Sequence, residues 1–320
     1  MSTNKIVILE NNSEIGAGTR GSSLGIAALK IAALKLKKNY FIKYKSEKII
    51  DNNNLLHDYD QNSLAINSKG VSDILNKVHN QVVSILDRNK FPLVLAGDHS
   101  SAAGTIAGIK SAYPNQRIGV IWIDAHADVH TPYTTPSGNI HGMPLAITMG
   151  IDNVEHRSNV VDHETAGIWS ELKAIGGEEP KIEPRDLVYI SVRDAEEAEE
   201  YFISENNVKH VYVEDVRKRG PKEISDEVLE YLKECDLIYM SFDVDSMDCD
   251  LVSYGTGTPV PNGLTENEAA GLVNHFLIDK RVCCFEMVEI NPCLDNKQNA
   301  MAESAMRILE NATNIIEKRG

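Results

Sequence analysis

The chain has 320 residues, 42% hydrophobic and 25% charged, which is enough to bury a sizeable core. Its 47 acidic against 32 basic residues give a net charge of −15, which repels phosphate backbones and anionic membrane surfaces and argues against nucleic-acid and membrane partners. No apolar run is long enough to span a bilayer.

Ile6-Val7-Ile8-Leu9 runs directly into the polar Glu10-Asn11-Asn12-Ser13-Glu14. This reads as a first strand over residues 5–9 and not as a secretory leader. Further strands are expected at 93–96, 118–123, 187–192, 210–213, 237–242 and 282–289. They are mostly unbroken apolar runs, as in a parallel sheet covered on both faces. Helices are expected at 23–36, 71–86, 101–111, 221–233, 266–278 and 297–318. In the second of these, Val71, Ile74, Leu75, Val78, Val82, Ile85 and Leu86 step by three or four along one stripe. Segments 46–69 and 152–184 are more polar and less periodic, and read as long surface loops. The alternation predicts an α/β fold: one three-layer domain over residues 1–320, with a doubly wound, mostly parallel sheet and helices on both faces. The cysteines (Cys235, Cys249, Cys283, Cys284 and Cys293) are odd in number and lack CxxC spacing, which suits a reducing cytoplasm better than a disulfide framework.

Ligand sites in such sheets lie beyond the carboxyl ends of the strands. Three strands here run into metal-ligand types: Gly97-Asp98-His99-Ser100, Asp124-Ala125-His126-Ala127-Asp128 and Asp243-Val244-Asp245. In extended chain, alternate side chains share a face, so Asp124, His126 and Asp128 are expected to converge, with Asp243 and Asp245 meeting them from another strand. Singly, each of these residues reads as a loop or cap residue. Together, four clustered carboxylates repel one another unless divalent cations neutralise them. Four Asp balance two such ions, and an oxygen-rich set with two imidazoles and no thiolate suits Mn²⁺.

These three motifs, the third read as Ser241-Phe242-Asp243-Val244-Asp245, resemble the metal-binding motifs of the ureohydrolase superfamily of arginases, agmatinases and formimidoylglutamases. Thr134-Thr135-Pro136-Ser137-Gly138-Asn139-Ile140-His141-Gly142 resembles the arginase substrate loop, and Gly257-Thr258-Pro259 and Glu289-Ile290-Asn291-Pro292 also match. The resemblance implies two Mn²⁺ per subunit held by His99, Asp124, His126, Asp128, Asp243 and Asp245, with hydrolysis of L-arginine to L-ornithine and urea. It implies His141, Glu289 and Asp128 as catalytic residues, and His130, Thr135, Ser137, Asn139, Glu196, Glu199 and Thr258 around a small guanidino substrate. A homo-oligomer, trimer or hexamer, is implied as well. Glu289 ends an apolar strand, where a charge is costly without a task, and a carboxylate matches a planar guanidinium. The residues alone leave His141 open between a proton shuttle and a histidine bonded within its loop; the resemblance makes it the shuttle for the leaving amine.

Two positions depart from the arginase pattern. Family arginases commonly have Asn at His130, beside the substrate α-carboxylate, and Asp at Glu196, near its α-amino group. The alternative readings are a sibling enzyme acting on agmatine, guanidinobutyrate or formimidoylglutamate, and a catalytically silent binding protein. Gly16-Ala17-Gly18-Thr19-Arg20-Gly21 spells GxGxxG, but polar residues separate it from the first strand and no acidic residue ends the next strand candidate, 39–45. It is expected to be a loop near the site and not a dinucleotide cradle.

Overall fold

A computed structural model of the protein describes residues 5–58, 62–178 and 180–319. In chain order the elements are β1 (Ile6–Asn11), α1 (Gly25–Lys35), α2 (Tyr40–Lys43), β2 (Ser46–Lys48), α3 (Ser68–Asp87), β3 (Phe91–Ala96), α4 (Ser101–Ala112), β4 (Ile118–Ile123), α5 (Pro144–Met149), α6 (His163–Lys173), β5 (Leu187–Ile190), α7 (Glu197–Glu205), β6 (Lys209–Val211), α8 (Val213–Arg219), α9 (Pro221–Tyr231), β7 (Leu237–Asp243), α10 (Glu266–Phe276), β8 (Val282–Val288) and α11 (Ala300–Lys318). The strands form one eight-stranded sheet in the order β2-β1-β3-β8-β7-β4-β5-β6. Every pairing is parallel, as the apolar strand runs require.

Each face of the sheet carries its own core. On one side α1 and α8 to α11 pack over Ile8, Leu95, Ile121, Met240 and Phe285. On the other, α3 to α7 cover Leu9, Val94, Trp122, Tyr189 and Cys284. The stripe read in α3 is buried along its whole length. A Cβ on Gly104 of α4 would sit 2.6 Å from Leu75 O, so this glycine lets the two helix backbones pack closely.

The two polar segments hold more structure than expected. Ser46–Lys48 is an edge strand paired with β1, and the stretch before it, expected to be extended, contains the helical turn α2. His163–Lys173 is helical, capped by Asp162, whose carboxylate accepts the Thr165 N–H at 2.7 Å. Both elements are short and mostly polar, so neither hydrophobic period is strong. The short helices α5, α7 and α8 carried too few turns to register as periods. Among the described residues, no helix is long and apolar enough to cross a membrane.

Candidate metal centre and active-site cleft

The four central strands end side by side, and each delivers part of one cluster. His99 follows β3, Asp124, His126 and Asp128 follow β4, Asp243 closes β7 with Asp245 just beyond, and Glu289 follows β8. Neighbouring strands are about 4.8 Å apart, so residues one or two steps past adjacent strand ends meet easily.

The way they meet differs from the alternation expected of extended chain. The chain leaves strand geometry after Ile123, and Asp128 adopts a left-handed φ of 51°. Asp245 lies in a single 3-10 turn whose N–H is accepted by Asp243 Oδ1 at 2.8 Å. Turns, and not a pleat, bring the carboxylates together.

His99 Nδ1 is 3.0 Å from Asp124 Oδ2, 3.0 Å from Asp128 Oδ2 and 3.2 Å from Asp243 Oδ2. His126 Nδ1 is 3.0 Å from Asp245 Oδ2 and 3.5 Å from Asp124 Oδ1. Asp124 therefore turns one oxygen to each half. Both His99–Asp124–Asp128 and Asp124–His126–Asp245 gather ligand atoms within 4.8 Å of one another. Edges near 3 Å are those of ligands ~2.1 Å from a shared octahedral ion. His99 Nδ1 and Asp124 Oδ2 are buried with no hydrogen-bond partner among the described residues, although they face each other. Buried polar atoms are almost always paired, and facing orphans of this kind are what a cation takes as ligands. The donor set fits divalent ions.

The electrostatics agree. Burial, then repulsion from Asp124, pushes Asp128 up to about 6. Burial, then Asp245 and Asp124, holds Asp243 well above the usual carboxylate range. Burial opposes charge on His99, but Asp124, Asp128 and Asp243 outweigh it and raise its pKa well above normal. As side chains alone, the group holds protons that cations would displace.

Above the two clusters lies a cleft of about 230 Å³. It is lined by His130, Thr135, Ser137, Asn139, His141, Glu196, Glu199, Thr258 and Glu289 together with His99, His126, Asp128, Asp243 and Asp245. Every expected site residue thus borders the cleft except Asp124, which is fully buried beneath it. Glu289 takes a left-handed φ of 65°, and its Oε1 accepts the His99 N–H at 3.0 Å and lies 3.0 Å from His141 Nδ1. Burial opposes charge on His141, but Glu289 outweighs it and raises the pKa to about 9.

His130 Nδ1 is 3.1 Å from Thr134 Oγ1, and its Nε2 is 3.5 Å from both Glu196 Oε2 and Glu199 Oε2. Glu199 accepts the N–H groups of Val129 at 3.2 Å and of Glu196 at 3.1 Å, tying the start of α7 to the loop after β4, and burial pushes its pKa up to about 7. Thr135 Oγ1 accepts the Gly138 N–H at 2.9 Å, so this hydroxyl shapes the loop as well as facing the cleft. Thr258 Oγ1 donates to Asp245 Oδ2 at 3.1 Å.

The GxGxxG segment packs behind the loop that carries Asn139 and His141. Gly16 O accepts the His141 N–H at 3.1 Å, and a Cβ on Gly18 would lie 2.5 Å from Asn139 Nδ2. Glu14 Oε2 accepts the N–H groups of Gly21 and Ser23, each at 2.8 Å. Those are amides a bound phosphate would need.

Four supporting residues were not singled out from sequence. Ser241 Oγ lies 2.7 Å from His99 Nε2, and Trp122 stacks on the His99 ring at 4.0 Å and 5°. Asp194 Oδ2 is 3.7 Å from His126 Nε2. Arg193 donates to the carbonyls of Pro261 (3.0 Å), Asp245 (3.0 Å), Val260 (2.8 Å) and Ser191 (3.1 Å), bridging the Asp245 turn to the segment after Thr258. Ser241 was readable as the residue two before Asp243 on the same strand. Trp122 in an apolar run gives no sign of a role beyond the core.

Comparison with known proteins is consistent with this geometry. The family model described as Arginase family matches residues 4–314. An arginase of Bacillus caldovelox is 36% identical over 300 residues, covering 92% of this chain and 93% of its own. The crystal structure of an arginase from Bacillus cereus superposes with a TM-score of 0.80 at 30% identity, covering 96% of this chain and 98% of the other. The structure of Entamoeba histolytica arginase in complex with L-ornithine gives a TM-score of 0.81 at 26% identity, covering 98% and 99%. With a match along nearly its whole length and the same sheet beneath the site, the chain belongs to the arginase family of hydrolases.

Proposed function

We propose that the protein hydrolyses L-arginine to L-ornithine and urea using two Mn²⁺ per subunit. The observation that carries this reading is one cleft in which two carboxylate–imidazole clusters share Asp124 and face the buried Glu289. Four aspartates and two imidazoles suit Mn²⁺ better than a thiolate-seeking metal. His99, Asp124, Asp128 and Asp243 would hold one ion, and Asp124, His126, Asp243 and Asp245 the other. When bound, the ions supply water acidic enough to act as a nucleophile near neutral pH.

The chain's own groups do the rest. Glu289 accepts paired N–H bonds from the guanidinium and orients its carbon. Asp128 both supports the His99 side and borders the reacting centre. His141, with Nδ1 turned to Glu289, uses Nε2 to pass a proton to the departing nitrogen. The C–N bond breaks as the C–O bond forms, and the released amine takes the proton. Glu196 and Glu199 receive the substrate α-amino group, while His130, Thr135, Ser137 and Asn139 receive its α-carboxylate. Support for an amino-acid substrate comes from the Entamoeba relative, solved with L-ornithine. We also place the protein as a single-domain, cytoplasmic homo-oligomer, trimer or hexamer, on family resemblance.

The test is a panel of arginine, agmatine, guanidinobutyrate and formimidoylglutamate with the Mn²⁺-loaded enzyme, read as urea or product release alongside metal content. Preference for any of the other three, or metal binding with no turnover on any, overturns the proposal.

A further inference from the structure

Strand β8 carries a second buried carboxylate that this chemistry leaves without a task. Glu286 sits in Val-Cys-Cys-Phe-Glu-Met-Val and is 0% exposed. Burying a carboxylate carries a heavy desolvation cost unless polar partners compensate. Its Oε2 accepts from Tyr239 OH at 2.9 Å, its Oε1 has no partner among the described residues, and Ser101 and Thr105 of α4 stand against it.

Its register places it directly behind the metal centre. Glu286 lies opposite Ser241 of β7, and Ser241 lies opposite Trp122 of β4. Tyr239 precedes Ser241 by two residues on the same face of the strand. Ser241 Oγ in turn is 2.7 Å from His99 Nε2, and Trp122 stacks on the same ring. The direction of the hydrogen bonds follows from their protons. With Nδ1 turned to the aspartates, Nε2 carries the ring proton and donates to Ser241 Oγ. The Ser241 hydroxyl then needs an acceptor. Tyr239, Ser101, Thr105 and Trp122 all bring protons of their own, whereas an ionised Glu286 only accepts.

We propose that Glu286 is a positioning residue, the terminal acceptor of a buried hydrogen-bond chain through Tyr239 and Ser241 that fixes the tautomer and ring orientation of His99. The inference rests on reading His99 as a metal ligand. Groups behind a ligating histidine typically set metal affinity by about tenfold to a hundredfold.

The test compares full-length Glu286→Gln, Glu286→Leu and His99→Ala with wild type, by Mn²⁺ affinity in equilibrium dialysis and by the visible spectrum of the Co²⁺-loaded protein. Thermal unfolding checks that each variant is folded. We expect Glu286→Leu to weaken Mn²⁺ binding by about tenfold or more and to alter the Co²⁺ bands, with Glu286→Gln between it and wild type. A folded Glu286→Leu with wild-type affinity and bands overturns the proposal. If that variant does not fold, a Glu286→Gln protein with wild-type affinity and bands overturns it instead. Should His99→Ala also leave metal affinity unchanged, the ligand assignment itself fails. Loss in His99→Ala beside unchanged Glu286 variants removes the relay alone.

Discussion

The two halves of the site are built to different standards. The His99 half is sealed: that side chain is 1% exposed, fixed by Ser241 on one edge and Trp122 on one face, and backed by Asp128 and Asp243. The His126 half is open: its side chain is 21% exposed, and Asp194 Oδ2 stands 3.7 Å from its outer nitrogen, beyond hydrogen-bond distance. A ligand held from several sides keeps its geometry whether or not an ion is bound, while one held from one side depends on the ion to order it. The difference teaches that one half serves as a rigid seat and the other as the adjustable face.

The most damaging test of this contrast is Asp124, which serves both halves. Asp124→Ala is expected to lower metal content and turnover by more than about a hundredfold, whereas Asp243→Ala nearly abolishes turnover with metal lost from both halves and Asp128→Ala nearly abolishes it with metal loss centred on the His99 half. Full metal content and turnover in any of them would remove the assignment. In wild-type protein, a chelator is expected to withdraw metal in two phases, and His126→Asn to abolish the faster one. A single phase in wild type would erase the contrast.

The next effect in size concerns the His141–Glu289 pair, which borders the sealed half. His141 is raised to about 9 from an ordinary 6.5. A histidine whose pKa rises on folding contributes stability that is complete below about pH 6.5 and disappears as pH climbs through about 9. The stability difference between wild type and His141→Asn, from denaturant unfolding, should therefore shrink by on the order of 3 kcal/mol between pH 6 and pH 10. A difference that is flat with pH would contradict the pairing.

Smaller effects sharpen the contrast further. Arg193→Lys keeps the charge but loses most of the carbonyl bonds that hold the Asp245 turn, so it should loosen the fast-releasing metal several-fold and cost roughly 1–3 kcal/mol of stability. Equal loosening of both halves would show that the strut is not local to one. Smallest is the head-group position. His130→Asn should keep or improve arginine use, and His130→Ala should raise KM by roughly 0.5–1.5 kcal/mol, for one lost hydrogen bond. Identical kinetics on arginine in both variants would show that His130 does not contact the substrate.

The legibility of this molecule in its sequence follows the strength of its patterns. The central strands, buried on both faces, could be read as apolar runs, and their last residues pointed to the centre because ligands lie beyond strand ends. Strand 210–213 was displaced to Lys209–Val211 because Val213 opens α8, and 282–289 stops at Val288 because Glu289 turns left-handed. The three-residue β2 is Ser-Glu-Lys, held as a strand only by the edge of β1, and no local property marks it. The convergence of Asp124, His126 and Asp128 was anticipated from alternation and achieved by turns after Ile123, because a turn gathers residues two and four apart as readily as a pleat does. Trp122 and Arg193 act through neighbours distant in sequence, which no single-chain pattern records, whereas Ser241 is marked by its place two before Asp243 on the same strand.

Glu14 has a further consequence for how short motifs are read. A glycine fingerprint specifies a shape, a turn whose amides point inward, and says nothing about what those amides hold. In this protein the shape is present and already satisfied from within: the chain brings its own carboxylate to the Gly21 and Ser23 amides. Here the acidic residue stands two positions ahead of the motif and folds back onto amides seven and nine residues further on, which marks this turn as self-filled. Glycine spacing alone would assign this loop to nucleotide binding. The glutamate before it assigns it to the support of the His141 loop.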